Sequence, residues 1–372
     1  MYVKKIELVA TKGVEQLNYP YSKPTDYYDK LPSMSPARAA LSDRVSLLKL
    51  TTDEGVKGYV ETSEVAGRTA LSLAWAIEGL RTSQTSLALD LLYRLTLPTG
   101  RTGIFLHAIS ALELLMWDSR CKELGVSCLS LIGGPTREKV RAYASHLHPK
   151  PIQELKREAR NYLEQGFTAM KMRFPSGPWD ALGVERNEEV VRAVREEVGK
   201  EVLLAADAWM SWNLNFSLKM LRRLEKYELA WIEEPLLPDD LEGYRELASR
   251  TGVPLAAGEH HYHVYDFKRL LDVGVTIVQP DALWSGGLET LRKVASIAEA
   301  YGAWVIPHTS NVYNLHFAFA EPENIVPMVE YLPHYRWMEN FAINPPLPER
   351  GFFFEPKGKG FCVEYDVEEK TT

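Results

Sequence analysis

The sequence has few cysteines, no long apolar run and no block of basic residues. Its three cysteines, Cys121, Cys128 and Cys362, are odd in number and show no C-x-x-C spacing. This pattern favours reduced thiols and a cytoplasmic location over a disulfide framework. The apolar stretch at residues 108–117 carries Glu113 and is too short to cross a bilayer. The charged opening residues are unlike a signal peptide, so we expect no membrane association.

The charge balance argues against nucleic acid as a ligand. The 372 residues carry a net charge of −7 with a pI near 5.8, whereas a nucleic-acid surface needs clustered lysine and arginine to neutralise phosphates. Apolar residues make up 45% and charged residues 25% of the chain, which is ordinary for a globular protein. The length allows two domains, or one barrel with a smaller domain.

The first 135 residues show the pattern of a small α+β domain. Residues 2–11 and 44–61 alternate apolar and polar side chains, and the second segment contains a D-E-G turn. This pattern predicts antiparallel strands with a hairpin. Helical periodicity follows at residues 68–97 and 104–123.

A loop rich in tyrosine, proline and serine lies between the first two strand segments. Residues 19–36 include Tyr19, Tyr21, Tyr27 and Tyr28. A loop of this length without a pattern of its own is usually a lid or disordered. We expect it to close over a bound ligand, with Tyr21 in contact with that ligand.

From about residue 139 the chain repeats a unit of one apolar strand and one amphipathic helix, and repeated βα units predict a parallel sheet. A closed barrel over residues 136–339 and an open doubly wound sheet are the two candidate folds. The tail, residues 340–372, is expected to pack back on the first domain. The strand segments are KVRAYAS, TAMKMRF, EVLLAAD, LAWIE, VPLAAGE, VTIVQPD and AWVIPH.

Chemically reactive side chains recur along these βα units at spacings of 26, 26, 22, 27 and 22 residues. One strand, one helix and two short loops use about that many residues, so these side chains stand at the same end of successive strands. In a barrel those ends converge on one mouth, where the active site lies, whereas an open sheet gathers ligands at a single crevice. The series favours the closed barrel and predicts an enzyme. We call these six residues the ladder: Asp207, Glu233, Glu259, Asp281, His308 and Glu330.

The first three ladder residues predict a metal site. Asp207, Glu233 and Glu259 each follow a run of apolar residues, where an unpaired carboxylate is costly to desolvate. Oxygen ligands without cysteine suit Mg²⁺, with Mn²⁺ as the alternative. Helix caps or salt bridges would explain a single strand-end carboxylate better than three at matched spacing. In the W-I-E-E-P motif the spacing selects Glu233 and leaves Glu234 a supporting role.

Asp281 and His308 end neighbouring strand segments and predict a catalytic pair. A carboxylate fixes the tautomer of an imidazole and tunes its pKa, as a general base requires. A lone histidine is more often structural than catalytic. The position of His308 on the ladder favours catalysis.

Two cations on an earlier strand segment predict electrostatic support. Lys171 and Arg173 are two residues apart, so both point to the same face of the strand. Cations there would neutralise a substrate carboxylate or a developing enolate. Arginine stays protonated and is a poor base, whereas Lys171 is either a base or an electrostatic group. Pairing of both cations with the metal carboxylates is the alternative, and it does not exclude these roles.

Three further residues are candidate substrate contacts. The H-H-Y-H run that begins at His260 is a weak zinc pattern, and we favour a substrate contact for His260 over a second metal or solvated loop histidines. Glu330 is expected to touch substrate or to act as an acid. Trp209, which follows Asp207 by two residues, is expected to line the substrate site.

With these residues in place, the chain resembles the enolase superfamily, and within it the mandelate racemase subgroup. The motifs K-M-R, D-A-W, W-I-E-E-P, G-E-H, Q-P-D and P-H occur in the order and spacing of that family. The resemblance implies a modified TIM barrel, (β/α)₇β, with an N-terminal α+β capping domain completed by the C-terminal tail. It also implies Mg²⁺ held by Asp207, Glu233 and Glu259, and abstraction of a proton α to a carboxylate.

Longer motifs are similar to rhamnonate dehydratases and related aldonate dehydratases of this subgroup, namely D-A-W-M-S-W-N, G-E-H-H, Q-P-D-A-L-W-S-G-G and P-H-T-S-N-V-Y. This similarity implies a hydro-lyase in which His308 removes the C2 proton of an aldonate. Loss of the C3 hydroxyl then gives a 2-keto-3-deoxy acid. L-rhamnonate, or a pentonate such as D-arabinonate, is the expected substrate. A homo-oligomer, often an octamer in the subgroup, is also implied.

Two alternatives remain at this point. The first is a racemase, epimerase or cycloisomerase of a carboxylate substrate on the same scaffold. Arg173 stands where the mandelate racemase pattern has a second lysine, which argues against a racemase. The second is a metal-binding protein without turnover, and the Asp281/His308 pair argues against it because simple binding needs no tuned base.

Overall fold

A computed structural model of the chain describes residues 1–14, 20–28, 44–333 and 340–367. The tyrosine-rich loop is therefore described only at residues 20–28, and Tyr19 lies outside the described residues. Within these ranges, no helix combines the length and the apolar character that a membrane span requires.

The N-terminal part of the chain is an antiparallel sheet covered by helices, as predicted. Ser63 caps the first helix by accepting a hydrogen bond from the amide of Ala66 (3.2 Å). The three strands, in sheet order, are β1 (Val3–Gly13), β2 (Arg44–Thr52) and β3 (Lys57–Ser63). The helices are α1 (Glu64–Leu73), α2 (Thr85–Thr96), α3 (Ile104–Leu124) and α4 (Cys128–Leu131).

Strands and helices then alternate in the (β/α)₇β pattern that the resemblance implies. The strands are β4 (Lys139–Leu147), β5 (Ala169–Arg173), β6 (Leu203–Asp207), β7 (Ile232–Glu233), β8 (Leu255–Ala257), β9 (Ile277–Val278), β10 (Trp304–Val305) and β11 (Met328–Tyr331). The helices after the first seven of these strands are α5 (Ile152–Glu164), α6 (Gly183–Val198), α7 (Leu214–Leu224), α8 (Leu241–Arg250), α9 (His263–Asp272), α10 (Gly287–Tyr301) and α11 (Val312–Ala320).

These eight strands form one curled parallel sheet in the order β10, β9, β8, β7, β6, β5, β4, β11. The amide of Val305 on β10 donates to the carbonyl of Ile325 (2.9 Å), just before β11, which brings the two ends of the sheet together. A buried cluster takes one residue from each strand or its flank, as expected for the filled interior of a barrel. The closed barrel is therefore confirmed over the open sheet. The cluster comprises Tyr143, Ala169, Ala205, Trp231, Ala256, Ile277, Ile306 and Met328.

The C-terminal tail contacts both parts of the chain. The strand β12 (Phe352–Phe354) pairs antiparallel with β4. Glu61 of β3 accepts hydrogen bonds from the amides of Asn340 (2.8 Å) and Phe341 (3.1 Å). These contacts agree with a tail that packs back on the first domain. The domain boundaries themselves stay a prediction.

Two of the three cysteines are paired. Cys121 in α3 and Cys128 at the start of α4 form a disulfide, with Cα atoms 5.3 Å apart, and Cys362 is free. The helix α3 ends at Leu124, and Gly125 after it has a φ of 72°, which turns the chain back so that α4 begins beside α3. The expectation of reduced thiols is wrong for this pair. The spacing of seven residues between Cys121 and Cys128 matches no common cysteine motif, so the sequence did not indicate the pair.

Candidate active site

The ladder residues lie at the carboxyl ends of the barrel strands, and all six are buried. Asp207 pairs in register with Arg173 on β5 and with Glu233 on β7. Glu259 follows β8 across Gly258, where an added Cβ would collide with the backbone that follows β9. Glycine is needed at this point because the two strands approach so closely. One mouth of the barrel thus gathers the predicted residues.

The backbone is strained at this mouth. Trp209, Met210, Glu234 and Thr309 each follow a barrel strand, and their φ angles are 44°, 62°, 40° and 63°. Such a conformation costs a non-glycine residue about 1–3 kcal/mol and persists only where the surroundings fix it. Strain of this kind is typical of functional sites.

Lys171 is the centre of a buried charge network. Its Nζ lies 2.5 Å from Glu233 Oε1, 2.8 Å from Glu330 Oε1 and 3.1 Å from Asp207 Oδ2. Burial opposes the charge of the ammonium, but the carboxylates outweigh it and raise the pKa of Lys171 well above its usual value. A lysine held protonated in this way favours the electrostatic role over the role of a base.

Glu330 belongs to the same network. Its Oε2 accepts a hydrogen bond from the amide of Thr309 (3.0 Å), and its other oxygen pairs with Lys171. Burial raises its pKa, but Lys171 and then His308 outweigh burial and lower the pKa of Glu330 to about 2. An ionised carboxylate of this kind favours charge balance over the predicted role as an acid.

The tyrosine-rich loop reaches the mouth through Tyr21. The guanidinium carbon of Arg173 lies 4.6 Å from the centre of the Tyr21 ring, and the ring packs edge-on against Trp209 (5.4 Å). The amide of Ser22 donates to the carbonyl of Phe174 (2.9 Å), next to Arg173. The structure therefore places Tyr21 and Trp209 together at the predicted substrate site.

The indole of Trp209 also makes a polar contact that the sequence did not suggest. Its Nε1 donates to Glu259 Oε1 (2.9 Å), and its amide donates to Asp207 Oδ1 (2.8 Å). Trp209 thus contacts two of the predicted metal ligands, in addition to its predicted contact with substrate.

Two of the predicted metal ligands carry buried oxygens that are paired with cationic side chains. Asp207 Oδ2 lies 3.0 Å from Arg173 Nη1, and Glu259 Oε2 lies 3.0 Å from His308 Nε2. Burial raises the pKa of Glu233 to about 8, with Lys171 opposing the rise and Asp207 adding to it. A divalent cation would relieve the mutual repulsion of these buried carboxylates, and oxygen ligands of this kind suit Mg²⁺. The donor types therefore fit Mg²⁺, although the ligand atoms of Asp207, Glu233 and Glu259 do not all lie within 4.8 Å of one another.

A second set of possible metal ligands lies beside the first and shares Glu259 with it. Across the described ranges, one group of three offers ligand atoms within 4.8 Å of one another, namely Glu234, Glu259 and His260. His260 Nδ1 lies 2.9 Å from Glu234 Oε2 and 3.4 Å from Glu259 Oε1. Burial opposes the imidazolium, but the two carboxylates raise the pKa of His260 to about 9. The grouping is explained by this ion pair, and a positive His260 suits contact with an anionic substrate.

The structure brings Asp281 and His308 together. His308 Nδ1 lies 3.0 Å from Asp281 Oδ2, and Asn311 Nδ2 donates to the other oxygen of Asp281 (3.1 Å). His308 Nε2 lies 3.0 Å from Glu259 Oε2, a contact that the sequence did not predict. Burial lowers the pKa of His308, but Glu259 and Asp281 outweigh it and raise the pKa well above its usual value. A base role requires Nε2 to be released from Glu259.

Two residues of the site were missed in the sequence. Gln279 Nε2 donates to Glu233 Oε2 (2.7 Å), and Trp231 Nε1 donates to the same oxygen (3.2 Å). Both precede a ladder residue by two positions, Trp231 before Glu233 and Gln279 before Asp281. Since residues two apart on a strand share a face, this spacing was a usable signal.

A cavity of about 390 Å³ opens beside His260. The loop before α3 contributes Arg101 to its wall, so both parts of the chain line it. Its further lining residues are Thr102, Met210, Pro238, Asp239, Leu241, His261, Tyr262, Asp266 and Arg269.

Replacing Lys171 by methionine is expected to lower the free energy of unfolding by about 3–5 kcal/mol, because three buried carboxylates lose their cation. Denaturant unfolding at pH 7 measures the loss. The control is Lys268→Met, which removes an exposed partner of Asp272 (2.6 Å) and is expected to leave the unfolding midpoint nearly unchanged, because exposed ion pairs contribute little. Equal midpoints for Lys171→Met and wild type would show that Lys171 does not hold the network.

Two family descriptions and several named proteins match the chain. Residues 28–133 match the mandelate racemase / muconate lactonizing enzyme N-terminal domain, and residues 154–370 match an enolase C-terminal domain-like family. A Caldivirga maquilingensis protein, provisionally named an L-rhamnonate dehydratase, is 37% identical over 312 residues, 78% of this chain and 75% of that protein. The L-rhamnonate dehydratase of Saccharopolyspora erythraea is 33% identical over 307 residues, 80% and 76% of the two chains.

Solved structures agree with these matches. The crystal structure of L-rhamnonate dehydratase from Gibberella zeae gives a TM-score of 0.87 at 26% identity, over 98% of this chain and 94% of that one. The 3,6-anhydro-D-galactonate cycloisomerase from Zobellia galactanivorans gives 0.79 at 26% identity, over 98% and 97%. The chain therefore belongs to the mandelate racemase / muconate lactonizing enzyme family, with an enolase-like C-terminal barrel.

Proposed function

We propose that the protein is a Mg²⁺-dependent acid-sugar dehydratase, a hydro-lyase that converts an aldonate to a 2-keto-3-deoxy acid. The observation that carries this proposal is the Asp281–His308 pair, set at the same barrel mouth as three buried acids and two buried cations. The dehydratase names of the relatives support it.

The charged groups of the mouth provide for binding of a carboxylate substrate. Asp207, Glu233 and Glu259 would hold Mg²⁺, which when bound supplies a Lewis acid for charge that develops on the substrate carboxylate. Mn²⁺ is the alternative ion. Lys171 and Arg173 add fixed positive charge at the same place, and preorganised charge of this kind lowers the barrier to proton removal.

His308 carries the proton transfers. Its Nε2 takes the proton from C2 of the aldonate, while Asp281 holds the proton on Nδ1 and fixes the tautomer. The bond from C3 to its hydroxyl then breaks, and the hydroxyl leaves as water with the proton that His308 returns. The resulting enol takes a proton at C3 and becomes the 2-keto acid. Atoms balance as substrate minus one water.

L-rhamnonate, or a pentonate such as D-arabinonate, is the proposed substrate. Tyr21 and His260 are the residues that we propose contact it, and the cavity beside His260 would give room for the polyol tail. An Arg101 side chain in that cavity offers hydrogen-bond donors to hydroxyl groups.

We also propose a homo-oligomer, as the family resemblance implies, and, separately, a cytoplasmic location. The helix α2 supports an interface because three leucines one turn apart are exposed: Leu87 by 47%, Leu91 by 39% and Leu95 by 37%. Light scattering on the purified protein measures the mass, and a monomer would contradict the proposal.

The decisive test is a panel of five- and six-carbon aldonates incubated with the purified protein and Mg²⁺, assayed for 2-keto-3-deoxy product. We expect strong turnover of one or two members, L-rhamnonate among them, and its loss on chelation. Failure of every aldonate would refute the proposal.

A cycloisomerase is the second candidate, favoured by the structural neighbour that carries that name. Adding 3,6-anhydro-D-galactonate to the panel tests it directly. Deuterium entering C2 of recovered substrate in D₂O, without dehydrated product, would instead indicate a racemase or epimerase. Tight binding without exchange or turnover would indicate a binding protein.

A further inference from the structure

The helix α10 begins a few residues after Asp281, and its first amides are capped by another part of the chain. The amides of the first turn of a helix have no partner within the helix, and the residue before α10 is Gly286, which has no side chain to cap them. Ser110 on α3 accepts hydrogen bonds from the amides of Gly286 (2.9 Å) and Gly287 (3.2 Å).

Glu113, one turn further along α3, completes this cap. Its Oε2 accepts from the amide of Leu288 (3.1 Å) and its Oε1 from the amide of Glu289 (3.0 Å). The indole of Trp117 donates to the same carboxylate (2.8 Å) and fixes its orientation. Four successive amides of the barrel are therefore held by two buried side chains of the N-terminal part.

The fit between α3 and this turn is close. Gly287 has a φ of 81°, and an added Cβ would collide with Glu113 Oε2. Both Ser110 and Glu113 are fully buried. The last glycine of the W-S-G-G sequence, Gly287, therefore leaves the space that the carboxylate of Glu113 occupies.

A tight turn connects the cap to Asp281. The amide of Asp281 donates to Ser285 Oγ (3.1 Å), and the amide of Ser285 donates back to the carbonyl of Asp281 (2.8 Å). Asp281 Oδ1 also accepts from the amide of Leu283 (2.8 Å). The amides of Leu283, Trp284 and Ser285 all donate to Asp281. We therefore expect a shift at Gly286 to move the carboxylate that orients His308.

A second contact reinforces the first. The ring of Trp284, within the turn, stacks on His107 of α3 with ring centres 5.1 Å apart and an angle of 8°. The same ring lies 4.8 Å from the ring of His308. The helix α3 thus supports both sides of the turn, one through the aromatic stack and one through the cap.

We propose that Ser110 and Glu113 are positioning residues for proton transfer, which act through the turn at residues 281–287 on Asp281 and His308. This inference rests on the proposed function, because it takes His308 as the base. A displaced carboxylate leaves the imidazole misaligned with C2, so catalysis is lost while substrate binding is retained.

The test compares Ser110→Ala and Glu113→Gln with matched controls on the same helix. Ser119→Ala removes a buried hydroxyl that faces β3, and Glu123→Gln removes a carboxylate that binds Thr82 and the N-terminus. We measure kcat and KM for L-rhamnonate, and the isotope effect on kcat with substrate deuterated at C2. Hydrogen–deuterium exchange of the backbone at residues 281–289 is followed on the ligand-free proteins.

In the two positioning variants we expect kcat to fall about 10- to 100-fold, with KM nearly unchanged, a larger isotope effect and faster exchange at residues 281–289. The controls should match wild type in all four. Loss of thermal stability with unchanged kcat and isotope effect would show that Ser110 and Glu113 only stabilise the fold, and it would overturn the proposal. A rise in KM alone would overturn it as well.

If the proposed function itself is wrong, the results differ from those that overturn the positioning role. Wild type would then leave L-rhamnonate unchanged, and the exchange measurement would still decide whether Ser110 and Glu113 hold the turn. Unchanged exchange at residues 281–289 in Ser110→Ala would overturn the inference by itself. Ser110→Ala removes a single oxygen atom, so it stays informative if Glu113→Gln does not fold.

Discussion

The variant His308→Asn is expected to lose turnover of the aldonate substrate by about 10²- to 10⁴-fold, the range that a general acid–base residue contributes. Asparagine keeps a donor toward Asp281 but has no basic nitrogen to take the C2 proton. Both steps assigned to His308 fail at once, so exchange of deuterium into C2 should disappear together with product formation.

The control for this variant is His263→Asn, the same replacement at a histidine outside the ladder. His263 has a φ of 57°, a conformation that asparagine tolerates well, and it stacks on Tyr93 away from the ladder (4.1 Å). We expect turnover close to wild type. Wild-type turnover by a folded His308→Asn would remove His308 from the mechanism.

The second large effect is expected on removal of the metal. Exhaustive chelation should reduce turnover on the order of 10³-fold or more, because the Lewis acid supplies several kcal/mol of charge stabilisation. Added Mg²⁺ should restore it, with Mn²⁺ as the comparison. The protein should stay folded without the ion, since Lys171 and Arg173 still pair with the carboxylates. Full turnover after chelation would contradict the assignment.

Calorimetric titration of Mg²⁺ into the chelated protein tests the ligands without relying on activity. Glu233→Gln is expected to weaken binding strongly, whereas Glu234→Gln should weaken it much less, because Glu233 is the residue in register with Asp207 at the strand ends. The opposite order would exchange their roles and would point to the group of Glu234, Glu259 and His260 as the ion site.

The barrel and its mouth could be predicted because the βα unit repeats along the sequence at a nearly constant length. Strand, loop and helix lengths repeat, so the ladder spacing alone placed Asp207, Glu233 and Glu259 at successive strand ends. The residues of the N-terminal cap on α10 could not be found in this way. Ser110 and Glu113 lie on an apolar helix far from the barrel in sequence, and no periodicity links them to the W-S-G-G turn.

The charge network was only partly predictable, for a different reason. The sequence placed Lys171 near the acids but could not say which oxygens it contacts, because that depends on side-chain rotamers within a fully buried site. The pairing of His308 with Glu259 is of the same kind (3.0 Å). Spacing fixes which strand end a residue occupies, and packing decides its partner there.

The cap that α3 provides has a consequence for the order in which the chain is made. Glu113 precedes the backbone amide of Leu288 by 175 residues, and N-terminal units generally fold first during synthesis. The acceptors on α3 are therefore present before α10 leaves the ribosome. A barrel excised at residue 136 would emerge with the first turn of that helix uncapped beside Asp281. The barrel contains the ladder residues, but α3, which is synthesised earlier, supplies the side chains that cap α10 beside Asp281.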